Sequence, residues 1–505
     1  MDIEPHARLN RRQFLPAAAG AAAAGVAGLA GYELRGSGKP EQPSRQPSPI
    51  QAESPAETFV TRPDLQPPAV AVTRFASYAA SADSPRFILL APASDLPGGR
   101  TQAGLMVVDR QGRLVWFQPT PSSEPFDLNV QPYRGRPVLT WWQGAVRSAH
   151  GYGNGEMADG SYRTIATIRA GDGLQADLHE LQLTSAGTAL ITAYEQTTTS
   201  LSALGGPRRA PVFVGHAQEI DLSTGKVLLD WNSLEHVGVE ESNQPLPPTG
   251  GPFDYFHINS ISEMDDGNLL ISARNTWTLY KVDRSSGKVI WRLNGKRSDF
   301  SLSPAARFYW QHHARPHGGS ALTVFDNAGP KRERQSRGLL LALDERSRRV
   351  ELTRAYTHPA GFLANTLGSV QLLPDGRVFV GWGDQPYFSE FAPDGTLLLD
   401  GQLPFATRSY RAFTADWVGR PGDAPRIVSR ANPAGGFVVH VSWNGATEID
   451  RWVVLAGPDR SSLEPVGSQA WSGFETGIAV NSTGPYFAAA ALDSRGRELG
   501  RSQLV

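Results

Sequence analysis

Short apolar runs divided by Asp, Gly, Asn and Pro follow one another along most of the chain, a pattern of strands and tight turns rather than of helices. One arrangement recurs: an apolar strand, a turn opening on Asp, a Gly, and a second apolar strand closing on Trp or Leu. It is read in Val107–Trp116, in Ile220–Trp231 and in Val282–Trp291, with weaker copies in Leu343–Leu352 and Phe391–Leu397. The turn positions Asp109, Asp221, Asp283, Asp344 and Ala392 are separated by 112, 62, 61 and 48 residues. A spacing of this size is the period of a propeller blade, and the first gap holds two units, one of them degenerate within 126–170. A second turn signature, Ser185-Ala186-Gly187, Asp265-Asp266-Gly267 and Pro374-Asp375-Gly376, falls where the two innermost strands of a blade would join.

The expectation is therefore an all-β protein: a six-bladed β-propeller over 71–410, each blade four-stranded, followed by a small β-sandwich over 420–505. The last region, with Val439-His440-Val441-Ser442-Trp443 among alternating strands, reads as a fibronectin-III-like sandwich with a structural or adhesive role. The alternative architecture is a β-sandwich with unusually regular hairpins.

Composition agrees with many strands and turns, at 52 Gly, 38 Pro and 46 aromatic residues (12 Trp, 13 Tyr, 21 Phe). The 48 basic and 49 acidic side chains nearly cancel, so no basic field exists to hold nucleic acid. Arg11-Arg12-Gln13-Phe14-Leu15 before an uncharged Ala/Gly-rich stretch has the layout of a twin-arginine signal over 1–35. Export to the periplasm, the cell surface or the medium follows, and an uncleaved signal would tether the chain to the membrane. With no cysteine, the exported fold holds by burial and strand pairing rather than by disulfides. Residues 36–70, rich in Pro, Ser, Gly, Gln and Glu, read as a disordered spacer. Lys331-Arg332-Glu333-Arg334 reads as a solvated loop.

Candidate chemistry rests on a coincidence of position. Of 11 histidines, His179, His257 and His312 each stand shortly before the inner hairpin of a different unit, at Gly187, Gly267 and Gly318. Inner strands line the axis of a propeller, so three imidazoles would converge there; the sixth unit breaks the pattern with Asn365-Thr366. Arg274 lies within an apolar strand run, where a guanidinium is costly unless an anion meets it. With the Asn259 amide the set makes a donor-rich hollow fit for a sulfate or phosphate group.

The segments Asp254-Tyr255-Phe256-His257-Ile258-Asn259-Ser260-Ile261 and Trp310-Gln311-His312-His313-Ala314 resemble the signature segments of the bacterial arylsulfotransferase family. Leu178-His179-Glu180, Ser272-Ala273-Arg274-Asn275, Ile290–Gly295 and Phe325-Asp326-Asn327 agree in order, and the likeness spans about 75–408. The resemblance implies transfer of a sulfuryl group from a phenolic sulfate ester to another phenol, without a nucleotide sulfate donor, through a sulfo-histidine. It puts the nucleophile on His312, the supporting groups on His257 and Asn259, the sulfate-binding arginine on Arg274 and the remaining histidine on His179. His313 is the alternative nucleophile or a substrate contact, since a shift of one residue presents the other face of a strand. Partners are then an aryl sulfate and a phenol, with no metal or redox cofactor required. Aromatic residues Trp277, Tyr309 and Trp310 serve either as stacking surfaces for the phenol or as blade core. Two rivals stand beside this reading: a non-catalytic exported binding propeller, and a metal-dependent lyase or hydrolase using the channel histidines.

Overall fold

The computed structural model describes residues 56–78, 85–94, 101–121, 124–248, 250–329, 335–482 and 484–505. The export signal over 1–35, most of the spacer and the 331–334 loop lie outside the described residues.

Six four-stranded units follow one another around an axis, each antiparallel and running from an inner strand to an outer one. Blade 2 is Glu124–Tyr133, Arg136–Arg147, His150–Ala158 and Thr164–Ile168; blade 3 is Ala176–Leu183, Thr188–Thr199, Ala210–Asp221 and Val227–Asn232. Blade 4 is Ile258–Glu263, Leu269–Ala273, Thr278–Val282 and Val289–Leu293; blade 5 is His312–Pro316, Ala321–Asp326, Arg337–Asp344 and Arg349–Tyr356. Blade 6 is Ser369–Leu372, Val378–Gly381, Tyr387–Phe391 and Leu397–Gln402, to which Ala71–Arg74 adds an outer fifth strand. Blade 1 closes the ring: its outer three strands, Phe87–Ser94, Gly104–Asp109 and Leu114–Pro119, come from the start of the described chain, and Thr407–Ala415 supplies the inner one. Each inner strand touches those of the two adjacent blades. The propeller therefore runs to Ala415, past the expected boundary at 410, because the pairing of Thr407–Ala415 with Phe87–Ser94 ties its two ends together.

Both faces of each blade are buried against neighbours, which is why strands such as Phe87–Ser94 and Gly104–Asp109 read as nearly continuous apolar runs. Separate apolar layers fill the six gaps between blades, and a seventh forms the core of the C-terminal domain. The repeated Asp has a local cause. In the outer hairpins Asp109, Asp221, Asp283 and Asp344 accept hydrogen bonds from backbone N–H groups two to four residues on, so each carboxylate builds its own turn. Asp159 does the same in blade 2, whose repeat is the one blurred in sequence. At the inner hairpins Gly187, Gly267 and Gly376 take φ of 80°, 81° and 82°, a region that excludes most side chains. Blades 2 and 3 are joined into one sheet by a bridge between Gly153 and Ala176, where the Trp142 indole N–H donates to the Ala176 carbonyl.

The C-terminal sandwich packs three strands, Arg426–Ala431, Phe437–Ser442 and Glu475–Val480, on four, Glu464–Ala470, Arg451–Gly457, Tyr486–Leu492 and Glu498–Arg501. It is fastened to the propeller. Asn444 exchanges two hydrogen bonds with the Phe117 backbone, and the Tyr162 hydroxyl donates to the Gly445 carbonyl. The spacer expected over 36–70 is ordered from Ala56 onward. Glu475 of the sandwich accepts hydrogen bonds from the Val60 and Thr61 amides and the Thr61 hydroxyl, Phe59 packs on Phe474, and Leu65 is buried between blades 6 and 1. A few apolar side chains in a Pro-rich stretch suffice when two domains offer them a seam.

Candidate active site

The inner strands deliver their first residues to one end of the axis. His179 comes from blade 3, His257 from the turn entering blade 4 and His312 from the start of blade 5; all three are buried, at 3%, 6% and 2% exposure. The His179 and His257 rings lie edge to face with centroids 4.8 Å apart. His312 stands near enough to Arg274 for the guanidinium charge to act on its ring. Arg274 and His312 also meet the same loop: Arg274 Nη2 donates to the Asn365 carbonyl at 3.3 Å, and the Leu367 N–H donates to His312 Nε2 at 3.3 Å. The loop at 365–367 takes the place that a histidine fills in other blades.

Each imidazole is held by a side chain that the sequence reading did not single out. Asp177 Oδ2 faces His179 Nδ1 at 2.6 Å and is itself fixed by the Gly151 amide and the Thr192 hydroxyl. Asp254 Oδ2 lies 2.5 Å from His257 Nδ1. Asn327 Oδ1 lies 2.7 Å from His312 Nδ1. In the His257 and His312 rings the proton therefore sits on Nδ1, so Nε2 carries the lone pair; in His312 that lone pair accepts from the Leu367 N–H, which an incoming sulfuryl group has to displace. Burial pushes the His257 imidazole down to about 4, against the opposing pull of Asp254. Burial, reinforced by the positive charge of Arg274, holds His312 well below the usual imidazole range. Both rings are neutral at physiological pH.

Arg274 is the available cation. Its Nη1 donates to Asn275 Oδ1, its guanidinium lies 4.1 Å above the Trp310 ring, and its buried Nε has no partner. Among the described residues no carboxylate pairs with it, and burial lowers it only to about 10, so it remains charged. Trp277, Tyr309 and Trp310 are half-buried around it, with Trp277 and Tyr309 edge to face at 5.0 Å. Three residues here, His257, Trp277 and Trp310, hold φ between 53° and 58°, a left-handed backbone rarely taken by bulky side chains and concentrated at functional sites.

Two of the anticipated residues do other work. Asn259 donates from Nδ2 to the Gln311 carbonyl at 2.6 Å, stitching blade 4 to blade 5, and its Oδ1 is buried without a partner. His313 turns to the opposite side from His312: its Nδ1 accepts from the Val370 amide, its ring packs on Phe413, and the charges that act on it are those of Arg315 and Arg411. Those arginines belong to a layer deeper in the channel. Arg411 of blade 1 pairs with Asp127 of blade 2 and Glu180 of blade 3, and Arg315 of blade 5 also pairs with Glu180. This charge-balanced plug closes the floor beneath the histidines.

A carboxylate in the short run before a histidine, as in Asp177-Leu178-His179 or Asp254-Tyr255-Phe256-His257, was the signal that could have revealed the partners of these rings. Nothing local marks Asn327, which lies a whole hairpin away from His312. For a metal, the set among the described residues with converging ligand atoms is His150, Asp254 and His257, not the three histidines first considered.

No curated protein matches the chain. Among solved structures it is similar to a protein of unknown function from Bacteroides caccae, with 13% identity over 63% of this chain and 93% of the other and a TM-score of 0.38. It is also similar to a protein from Lactobacillus plantarum, with 13% identity, coverage of 79% and 99% and a TM-score of 0.36. A virginiamycin B lyase from Staphylococcus aureus matches with 8% identity, coverage of 74% and 97% and a TM-score of 0.34. Likenesses this remote add nothing to the architecture read from the sheets. The model of the arylsulfotransferase (ASST) family matches residues 129–403, which hold blades 3 to 6, nearly all of blade 2, and His179, His257, His312 and Arg274. The chain belongs to the arylsulfotransferase family.

Proposed function

We propose that the protein is an exported arylsulfate sulfotransferase that moves a sulfuryl group from a phenolic sulfate ester to a phenol through a sulfo-histidine on His312, with no nucleotide donor. The observation that carries this reading is the Asn327–His312 pair, which leaves a neutral imidazole with its Nε2 lone pair on the side of the loop that also meets Arg274. Nε2 attacks sulfur, the bond from sulfur to the aryl oxygen breaks, and the aryl oxide departs with the electron pair. Arg274 balances the charge on the sulfuryl oxygens. In the second half, His257 or His179 removes the proton of the acceptor phenol through Nε2, the phenolate attacks sulfur, and the bond from nitrogen to sulfur breaks. The proton taken from the acceptor matches the one gained by the departed aryl oxide.

With His257 neutral at rest, the leaving aryl oxide departs as an anion. Donor reactivity then rises with the acidity of the leaving phenol. The twin-arginine signal supports action outside the cytoplasm, and the three-on-four strand order supports the fibronectin-III-like reading of the C-terminal domain.

The deciding experiment mixes the protein with 4-nitrophenyl sulfate, with and without phenol. The expected result is nitrophenol release that phenol accelerates, phenyl sulfate as product, and a gain of one sulfuryl group on the peptide containing His312, stable in base and lost in acid. Transfer by His312→Ala at the wild-type rate would end the proposal.

A further inference from the structure

His150 takes no part in the transfer steps, yet it is 1% exposed and aimed at them. It opens the strand His150–Ala158 of blade 2, and its Nε2 lies 3.2 Å from Asp254 Oδ2, the oxygen that also meets His257 Nδ1. One ligand atom from each of His150, Asp254 and His257 lies within 4.8 Å of the other two. The ring cannot swing away, because Tyr194 and Phe213 hold it at centroid distances of 4.2 Å on each count. Among the described residues His150 Nδ1 and Asp254 Oδ1 are both buried and without partners, so the cluster is only partly satisfied by its internal hydrogen bonds.

We propose that His150, Asp254 and His257 form a site for a divalent cation of the zinc class, and that occupancy of this site slows sulfuryl transfer by engaging His257. The binding half stands on geometry alone; the inhibitory half rests on the transfer reading above.

Two imidazoles and one carboxylate make a three-ligand donor set that leaves a fourth position to water, a set suited to zinc and unsuited to magnesium or calcium, which prefer oxygen. Tetrahedral bonds of about 2.0 to 2.1 Å place ligand atoms about 3.3 Å apart. The spacing of His150 to Asp254 already meets this, the His257 ring has to retreat from Asp254 by less than ~1 Å, and the two imidazole nitrogens, within 4.8 Å of each other, settle to the same edge. Asp254 supplies the single carboxylate of the set, shared between the two rings. Each imidazole stays neutral on binding by moving its proton to the other ring nitrogen, so the added charge is that of the cation against one carboxylate. The third histidine, His179, keeps its bond to Asp177 and lies outside the set.

The test uses the full chain stripped by a chelator. Zinc is titrated calorimetrically, cobalt by visible absorption, and aryl sulfate transfer is followed in parallel. Expected are one zinc per chain, no displacement by excess magnesium, the absorption bands of tetrahedral cobalt, and at least tenfold inhibition reversed by chelator. His150→Phe keeps a ring between Tyr194 and Phe213; it is expected to transfer normally in chelator and to lose both the cobalt bands and the inhibition. Asp254→Asn, read by binding alone, is expected to weaken zinc by tenfold or more. Zinc held no better than magnesium, or held equally by His150→Phe, overturns the site. A chain that binds zinc through His150 but never transfers sulfuryl keeps the site and overturns the transfer reading, and the inhibitory half with it.

Discussion

Asn327 Oδ1 accepts the Nδ1 proton of His312 at 2.7 Å, and its Nδ2 is committed to the Ala364 and Leu367 carbonyls at 2.8 and 3.0 Å. Because both amide hydrogens are taken, the group can present only its oxygen to the ring, and the tautomer of His312 follows. Asn327→Leu removes that constraint while keeping the volume. We expect kcat to fall about 10²-fold with KM for the aryl sulfate little changed, since a positioning residue acts on the reactive form rather than on binding. Steady-state kinetics on the folded variant decide it, and an unchanged kcat refutes the role.

The neighbouring histidines separate by consequence. His312→Ala is expected to abolish transfer while leaving the thermal midpoint within a few degrees of wild type. His313→Ala opens a cavity beside Phe413 and leaves the Val370 amide without its acceptor, at a cost of about 1 to 3 kcal/mol of stability. Urea denaturation and initial rates on the two variants read these effects separately. The reverse pattern would move the nucleophile to His313.

Architecture was legible because its causes are local. An Asp that caps its own turn and a Gly at positive φ repeat with the blade, so Asp109, Asp221, Asp283 and Asp344 mark the period in sequence. The convergence of His179, His257 and His312 was legible for the same reason, since each occupies one register position of a repeated unit. The contacts around these rings were not. Asn327 reaches His312 across a hairpin, and His150 of blade 2 reaches Asp254 in a short segment that pairs with blade 3, relations set by tertiary packing rather than by spacing. Alternation alone does not foresee the irregular pairing at Ile258–Ser260, where the Asn259 amide turns to the Gln311 carbonyl. The ordered strap at 56–70 escaped composition because its partner surface, Glu475 and Phe474, is more than 400 residues away.

Acid should act on stability before it acts on the nucleophile. His257 titrates at about 4 in the fold, against about 6.5 in the unfolded chain, so the unfolded state binds the proton first. Stability is complete above pH 6.5 and is lost as pH falls toward 4, by about 3 kcal/mol from this ring alone. His312 is likewise held well below the usual imidazole range by burial and by Arg274, so the acid limb of kcat/KM lies below the ordinary imidazole range. Denaturation midpoints and rates collected between pH 4 and 8 check both statements. A rate that halves near pH 6.5 while stability holds would contradict them.

Arg411 carries the floor of the site, and its removal exposes how the charges are balanced there. The guanidinium is 2% exposed; it pairs with Asp127 and Glu180 and donates to the carbonyls of His179 and Asn259. Burial already pushes the Asp127 carboxyl up to about 6 with the arginine present. Arg411→Met leaves two buried carboxylates with Arg315 alone, so the expected loss is about 3 to 5 kcal/mol at neutral pH. The sign of its pH dependence is fixed: without Arg411 the carboxylates bind protons more readily in the fold, and protonation relieves the unpaired charge. The gap between wild type and variant should therefore narrow as pH falls from 7.5 to 5. Urea denaturation at those two pH values measures it, and a gap that widens in acid would mean that packing around Tyr410, not charge, is what Arg411 supplies.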